Sequence, residues 1–324
     1  MLSRARDALL GLACGDSLGA TLEFMPREDV RRKYPGGLRD LVGGGPFGWA
    51  PGETTDDTAM ALCVLRGILK AGGGDADVQA IVEAVGQEFV AWFRSGPKDV
   101  GATTAMALQT YLREKSWERT SAQVRRALGD RAAGNGALMR TLPVAFFWPD
   151  NPKKTVEVAR AIVQMTHPHP HAEWCAAVYS LYAARILVEG SGAPAVQWRQ
   201  SVRAHRVAAP ELAAQVLDVE DRLDYRRVVS LDEDVIRSTG YCVDTLEAAL
   251  WAFWTSDSAE ECIVKAANLG GDADTVAAVA GGLAGAAWGR AGLPGRWMQV
   301  LSEYVREEVD SLVALTGMKA AVGE

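Results

Sequence analysis

The chain has 324 residues, 48% of them hydrophobic and 23% charged, with a formal net charge of −7. This composition excludes a disordered, collagen-like or disulfide-scaffold protein and leaves enough chain to bury a sizeable core. The acidic balance argues against general nucleic-acid binding, which calls for a basic stripe, although a local site can oppose the global charge and take a nucleotide or phosphate.

The N-terminal residues 1–8 carry Arg4, Arg6 and Asp7 ahead of any apolar run. No signal peptide follows and no uncharged run of about 18 apolar residues occurs, so a cytoplasmic protein with no membrane partner is expected. A first helix is predicted over residues 8–22. It is rich in small residues, among them Gly11, Ala13, Gly15, Gly19 and Ala20. Gly inside a helix costs about 1 kcal/mol relative to Ala, so the run implies that another backbone approaches closely. Asp16 on this helix reads as a helix-to-helix hydrogen-bond anchor. Glu23 lies about two turns further on the same face, and packing and a site role are open for it in equal measure. A Gly-rich loop, residues 43–49, ends at Trp49, which can stack on a flat ring such as adenine if the loop is mobile.

Apolar residues then recur at helical spacing over 55–70, 77–94, 103–115, 154–166, 171–189, 208–222, 243–255, 258–269 and 273–290. Few segments alternate strictly, so the fold class is all-α. A second small-residue helix, 276–288, nearly closes the pattern. Both small-residue helices are expected to cross the centre of one bundle, which makes the chain a single domain, 1–324. The five cysteines, Cys14, Cys63, Cys175, Cys242 and Cys262, are odd in number and set among Ala, Leu and Val. They read as small core residues rather than a disulfide framework or a zinc site.

Two acidic motifs stand out. Gly52-Glu53-Thr54-Thr55-Asp56-Asp57-Thr58 and Gly270-Gly271-Asp272-Ala273-Asp274-Thr275 each follow a Gly-containing loop and open a helix. Capping alone accounts for one oxygen acceptor at a helix start, where the dipole also favours carboxylates. Each motif instead supplies two carboxylates and flanking hydroxyls. A hard, all-oxygen ligand set suits Mg²⁺ or Mn²⁺ rather than zinc. If the motifs meet, Thr55, Asp56, Asp57, Asp272, Asp274 and Thr275 can hold two such ions and activate water between them.

Three further features are candidates for substrate contact. Gly134, Asn135 and Gly136 precede a helical run and can turn backbone N–H groups toward an anion, with Arg140 either adding charge or pairing with an internal carboxylate. His167 follows a predicted helix end in Thr166-His167-Pro168-His169-Pro170-His171 and can hydrogen-bond a phosphate or ribose. His169 and His171 read as ordinary loop and helix-start residues, because the prolines keep the stretch extended and no further ligand lies at zinc spacing. Tyr241 precedes the predicted helix 243–255 and is a second candidate for stacking on a flat ring.

Taken together and in order, these segments resemble the ADP-ribosylglycohydrolase family over essentially the whole chain. The resemblance rests on Gly11-Leu-Ala-Cys-Gly-Asp-Ser-Leu-Gly19 leading to Glu23, Thr55-Asp-Asp-Thr58, Gly134-Asn-Gly-Ala-Leu-Met-Arg140, Thr166-His167, Gly240-Tyr-Cys-Val-Asp-Thr245 and Gly270-Gly-Asp-Ala-Asp-Thr275. It implies a compact orthogonal helical bundle with a binuclear Mg²⁺ or Mn²⁺ centre held by Thr55, Asp56, Asp57, Asp272, Asp274 and Thr275. It implies ADP-ribose as ligand, with the Gly134–Gly136 loop and His167 at the diphosphate or ribose and Tyr241 near the adenine. Glu23 matches the family's acidic residue on the loop over the site; with Asp57 and Asp274 it makes up the expected catalytic set.

The implied activity is metal-dependent hydrolysis of the bond joining ADP-ribose to a target, first of all an arginine on a protein. Arginine-linked relatives can carry an acidic residue just before the Gly-Asn-Gly loop, where this chain has Arg131-Ala132-Ala133. The alternatives are a hydrolase of serine-, acyl- or nucleic-acid-linked ADP-ribose, a phosphohydrolase of the same two-metal type, and a non-catalytic ADP-ribose-binding relative. The partners expected are therefore ADP-ribose and its modified target, with a monomeric chain.

Overall fold

The computed structural model describes residues 2–321 as helices joined by short loops, with no strand among the described residues and two isolated bridges, Gly44 with Trp49 and Gly134 with Tyr241. The helices in chain order are α1 (Leu2–Gly19), α2 (Arg27–Lys33), α3 (Asp56–Ala71), α4 (Val78–Arg94), α5 (Ala102–Glu114), α6 (Trp117–Leu128), α7 (Pro152–Gln164), α8 (Pro170–Glu189) and α9 (Pro194–Ala208). They continue with α10 (Pro210–Ala213), α11 (Leu217–Arg222), α12 (Tyr225–Val229), α13 (Cys242–Trp254), α14 (Ala259–Ala267), α15 (Ala273–Gly292), α16 (Gly295–Val300) and α17 (Glu303–Ala321). The all-α expectation holds.

The centre is the antiparallel pair α1 and α15. Gly11, Gly15 and Gly19 recur every four residues and so form one stripe along α1. A Cβ at Gly15 would overlap the Ala277 carbonyl, one at Gly19 the Ala273 carbonyl, and one at Gly11 the Gly281 carbonyl. The two helices therefore touch main chain to main chain, as the small-residue runs predict. Dispersion between such closely packed atoms replaces the missing side-chain contacts. The register has a functional result: it sets the C-terminal end of α1, with Asp16 and Glu23 beyond it, against the N-terminal end of α15 and its acidic motif. Helices α3, α13 and α14 pack around this pair.

A second cluster lies between α8, α9 and α13. Tyr182, Trp198, Trp254 and Phe253 meet edge to face at ring separations of 5.4–6.2 Å. The Trp254 indole donates to the Tyr182 hydroxyl at 2.8 Å, which satisfies both polar atoms in the interior. All five cysteines are buried and unpaired, in line with their reading as small core residues.

Several boundaries differ from those predicted. The helix expected over 208–222 is two short helices, α10 and α11, because Pro210 opens a new helix and the chain breaks before Leu217, with Val216 fully buried at the break. Helices α2, α6, α9, α12, α16 and α17 are absent from the predicted set. α9 buries Gln197, Trp198, Ser201 and His205, so its inner face is largely polar and the apolar period is silent. α6 buries only Trp117, Thr120 and Val124 on one side. α1 begins at Leu2 rather than at residue 8, and its helical bonds end at Gly19, where a turn carries the chain to Phe24.

Candidate active site

The two acidic motifs meet. Thr55 is the N-cap of α3 and its side chain accepts from the Asp57 amide at 3.2 Å. Asp57 Oδ2 accepts from Thr55 Oγ1 at 3.3 Å and from Thr275 Oγ1 at 3.2 Å, the second bond spanning 218 positions of sequence. Asp272 occupies the N-cap position of α15 but makes no capping bond. Its Oδ2 instead accepts from Asn135 Nδ2 at 2.9 Å, and Asn135 Nδ2 also donates to Thr245 Oγ1 at 2.8 Å. Capping thus explains Thr55 and leaves the carboxylates of Asp57, Asp272 and Asp274 over.

Asp16 acts as the expected anchor. Its carboxylate accepts from the amides of Thr55 and Thr58 at 3.0 Å and from the Thr58 hydroxyl at 2.5 Å. It pins the start of α3 to the last turn of α1. Burial pushes its carboxyl up to about 6, with the Thr58 and Thr55 bonds opposing.

A cleft of ≈ 250 Å³ opens above the motifs, lined by Glu23, Phe24, Asp56, Asp99, Asp272, Asp274 and Thr275 on the acidic side and by Gly134, Asn135, Gly136, Thr104 and His167 on the other. Glu23, Asp99 and Asp274 bring carboxylate oxygens within 4.8 Å of one another. Asp99 lies on the loop between α4 and α5 and is missing from the residues the sequence singles out. Its loop, Ser95-Gly96-Pro97-Lys98-Asp99-Val100-Gly101, has turn composition and a lone acid, which carries no motif; only the Gly-Pro turn and the following helix start mark it. Asp56 Oδ2 accepts from the Gly101 amide at 3.4 Å and so faces the same loop.

The electrostatics are lopsided. Asp57 and Asp274 are held well above the carboxylate range, first by burial and then by each other's cluster: Asp16 and Asp56 act on Asp57, while Asp57 and Asp272 act on Asp274. Asp56 is raised likewise by burial and by Asp99. Glu23 is pushed up to about 8 by burial, with Asp99 and Asp272 adding repulsion. Asp57 Oδ1, Asp274 Oδ1 and Glu23 Oε2 are buried without a hydrogen-bond partner. Buried orphan oxygens on mutually repelling carboxylates are costly unless a cation completes them. The donor set, carboxylates and Thr hydroxyls with no thiol or imidazole, is that of a hard divalent ion.

The opposite wall is built from the Gly loop. Gly134 and Tyr241 form a short bridge, with Asn135 N donating to Gly240 O at 2.9 Å and Cys242 N to Ala133 O at 3.0 Å. The Asn135 amide is therefore already used, and the loop offers less free N–H than expected. His167 is buried beneath Gly134 and Gly136; a Cβ at either would come within 3.2 Å of its ring. Its Nδ1 is paired with Thr166 Oγ1 at 2.7 Å, and burial, then Arg140, push the ring down to about 3, so it stays neutral. Arg140 does not line the cleft and hydrogen-bonds no carboxylate among the described residues, although its charge acts on His167 and Asp56. It is fully buried under the loop, donating to Gly136 O, Ile162 O and Thr166 Oγ1 at 2.7–3.2 Å, with the Phe89 ring 4.6 Å away.

The two stacking candidates fare differently from expectation. Trp49 is 6% exposed, lies under Lys98 with Nζ 5.0 Å from its ring, and is not a lining residue. Its loop closes on itself through the Gly44–Trp49 bridge, which turns the ring inward. Tyr241 is half-buried, and its hydroxyl pairs with His171 Nδ1 at 2.6 Å beside the cleft wall. His169 caps α8 by accepting from the His171 amide.

A helical molecule whose central pair presents clustered carboxylates to a cleft of this kind has the make-up of an acidic-site, all-α hydrolase. The match is specific: residues 1–322 fit the ADP-ribosylglycohydrolase family model, and the chain belongs to that family. It is 34% identical over 313 residues to ADP-ribosylarginine hydrolase Tri1 of Serratia proteamaculans, spanning 94% of this chain and 77% of that protein. It is 36% identical over 320 residues to the ADP-ribosyl-[dinitrogen reductase] glycohydrolase of Rhodospirillum rubrum, spanning 97% of each. A solved structure described as an ADP-ribosylglycohydrolase-related protein complex superposes with a TM-score of 0.75 at 32% identity, covering 98% of both chains. No helix among the described residues is long and apolar enough to cross a membrane.

Proposed function

We propose that this chain is a hydrolase that cleaves ADP-ribose from a modified arginine side chain of a protein, using two divalent cations, Mg²⁺ or Mn²⁺. The observation that carries the reading is the set of buried, unpartnered carboxylate oxygens on Asp57, Asp274 and Glu23 where the two motifs join. Relatives at 34–37% identity that are named for ADP-ribosylarginine support the linkage.

Thr55, Asp56, Asp57, Asp272, Asp274 and Thr275 would hold the ions, which when bound neutralise the cluster and polarise the ribose hydroxyls and water. The bond broken joins C1 of the distal ribose to a guanidinium nitrogen; water supplies the new oxygen at C1 and a proton goes to the departing guanidine. Positive charge develops at C1 in the transition state, and the surrounding carboxylates stabilise it. Glu23 lines the cleft beside Asp274, where it can exchange a proton with water or the leaving nitrogen. Asn135 fixes Asp272 while lining the cleft, and Asp16 fixes α3, so both orient the carboxylates. His167 turns its unpaired edge toward Gly134 and Gly136, where a diphosphate or ribose oxygen fits. Asp99 supplies an acidic group for the cationic guanidinium at the mouth, in place of the acid that residues 131–133 lack. The unpaired cysteines suit a cytoplasmic setting.

The test is release of free ADP-ribose by purified protein from arginine-, serine-, acyl- and nucleic-acid-linked conjugates, with Mg²⁺, with Mn²⁺ and with chelator. Cation-dependent release from the arginine conjugate is expected. Release from another conjugate alone overturns the linkage, and tight ADP-ribose binding with no release from any overturns the hydrolase.

A further inference from the structure

Phe24 is 66% exposed, yet it lines the cleft beside Glu23 and Asp99. Its φ is +60°, a left-handed conformation that is uncommon for an aromatic residue. Two backbone bonds hold it there: Phe24 N donates to Gly271 O at 2.6 Å and Gly271 N donates to Met25 O at 2.9 Å. Both bonds run to the glycine immediately before Asp272. The strained turn is thus fastened to the second acidic motif, which holds the backbone of Phe24 beside the carboxylates. No cation of the chain lies over its face among the described residues. A left-handed backbone at a bulky aromatic residue is a cost, and here it sets the ring at the lip of the cleft.

We propose that Phe24 is a specificity-determining residue whose ring stacks against the planar guanidinium of the leaving arginine. The inference rests on the arginine reading above. A guanidinium prefers an aromatic face on one side and carboxylates at its edge. Phe24 supplies the face, and Asp99 supplies the carboxylate edge within the same mouth. A hydroxyl leaving group, as in a serine conjugate, gains nothing from the ring. The ring therefore favours arginine by contact with the part of the substrate that departs, not with ADP-ribose.

The experiment compares wild type, Phe24→Ala and Phe24→Tyr on ADP-ribosyl-arginine with saturating Mg²⁺, and measures inhibition of each by free ADP-ribose. Phe24→Ala is expected to raise KM for the arginine conjugate between about 2- and 30-fold, the range of a cation–aromatic contact. Phe24→Tyr restores KM, and the ADP-ribose inhibition constant stays put in all three. An ADP-ribose inhibition constant that weakens in step with KM overturns the proposal and assigns the ring to the adenine or ribose. Unchanged KM in Phe24→Ala overturns it as well. A wild-type chain that releases nothing from the arginine conjugate overturns the arginine reading and this inference with it, so the two failures are told apart.

Discussion

Replacing Asp274 by Asn keeps its shape and removes its charge, which separates what the carboxylate costs the fold from what it contributes to the site. In the metal-free protein Asp274 is buried, its Oδ1 has no partner, and its carboxylate lies within 4.8 Å of those of Glu23 and Asp99. Two full charges at that separation repel by about 3.5 kcal/mol at an effective dielectric of 20. Partial protonation already relieves some of this, since burial and Asp57 hold Asp274 well above the carboxylate range. The gain in Asp274→Asn is therefore about 1–3 kcal/mol at pH 7.5 in chelator. For a chain of this length that raises the melting temperature by about 2–5 °C. The same variant is expected to lose hydrolysis and most of the stabilisation that Mg²⁺ or Mn²⁺ gives the wild type, because one ligand is gone. Thermal melting of both proteins in EDTA and in 5–10 mM Mg²⁺, beside an ADP-ribose release assay, reads all three quantities. An Asp274→Asn protein that melts below wild type in EDTA, or that keeps the full Mg²⁺ shift, refutes the reasoning.

The pH dependence of stability should change sign with metal. In chelator, the folded state holds Glu23 protonated up to about 8 while the unfolded chain ionises near 4.5, so stability falls as pH rises from 4.5 to 8; in saturating Mg²⁺, which competes with protons for the carboxylates, denaturant midpoints should rise over pH 6.5–8. His205 is fully buried with neither ring nitrogen paired, and burial pushes it down to about 4. The unfolded chain takes up that proton below 6.5, so stability is lost as pH falls from 6.5 to 4; His205→Leu should flatten this arm by up to about 3 kcal/mol in urea titrations, and an unaltered arm counts against it. Gly15→Ala should lower stability by about 3 kcal/mol or more, measured as a shifted urea midpoint at constant slope, because the methyl forces α1 off the Ala277 carbonyl.

How much was legible depended on whether a residue's role repeats along the chain. Gly11, Gly15 and Gly19, set four apart, announce a backbone-to-backbone helix contact, and Ala273, Ala277 and Gly281 answer at the same interval. The doubled carboxylates after a glycine loop exceed what a cap needs, and that excess is visible without coordinates. Asp99 was not legible: it is one acid on a turn, and only folding brings it beside Glu23. Trp49 misled because a Gly-rich loop reads as open, whereas the Gly44–Trp49 bridge folds it shut under Lys98. α9 escaped because Gln197, Ser201 and His205 on its buried side carry no apolar signal. Arg140 pairs with no carboxylate because the Gly136 and Ile162 carbonyls and the Thr166 hydroxyl beneath the glycine loop take its donors, while its charge still acts on His167 and Asp56.

The pairing of α1 with α15 also fixes when activity can first exist. α1, with its bare glycine groove and Asp16, precedes the helix that fills the groove by some 250 residues. Until Ala273 and Ala277 settle into it, Thr275 cannot reach Asp57, and the acidic residues of the first motif stand in water where they repel at little cost. The closing of α1 on α15 and the creation of the charged centre are thus the same event. A nascent or interrupted chain carries no half-active site, and a cation present as the two helices close can stabilise the completed fold at the moment its carboxylates are driven together.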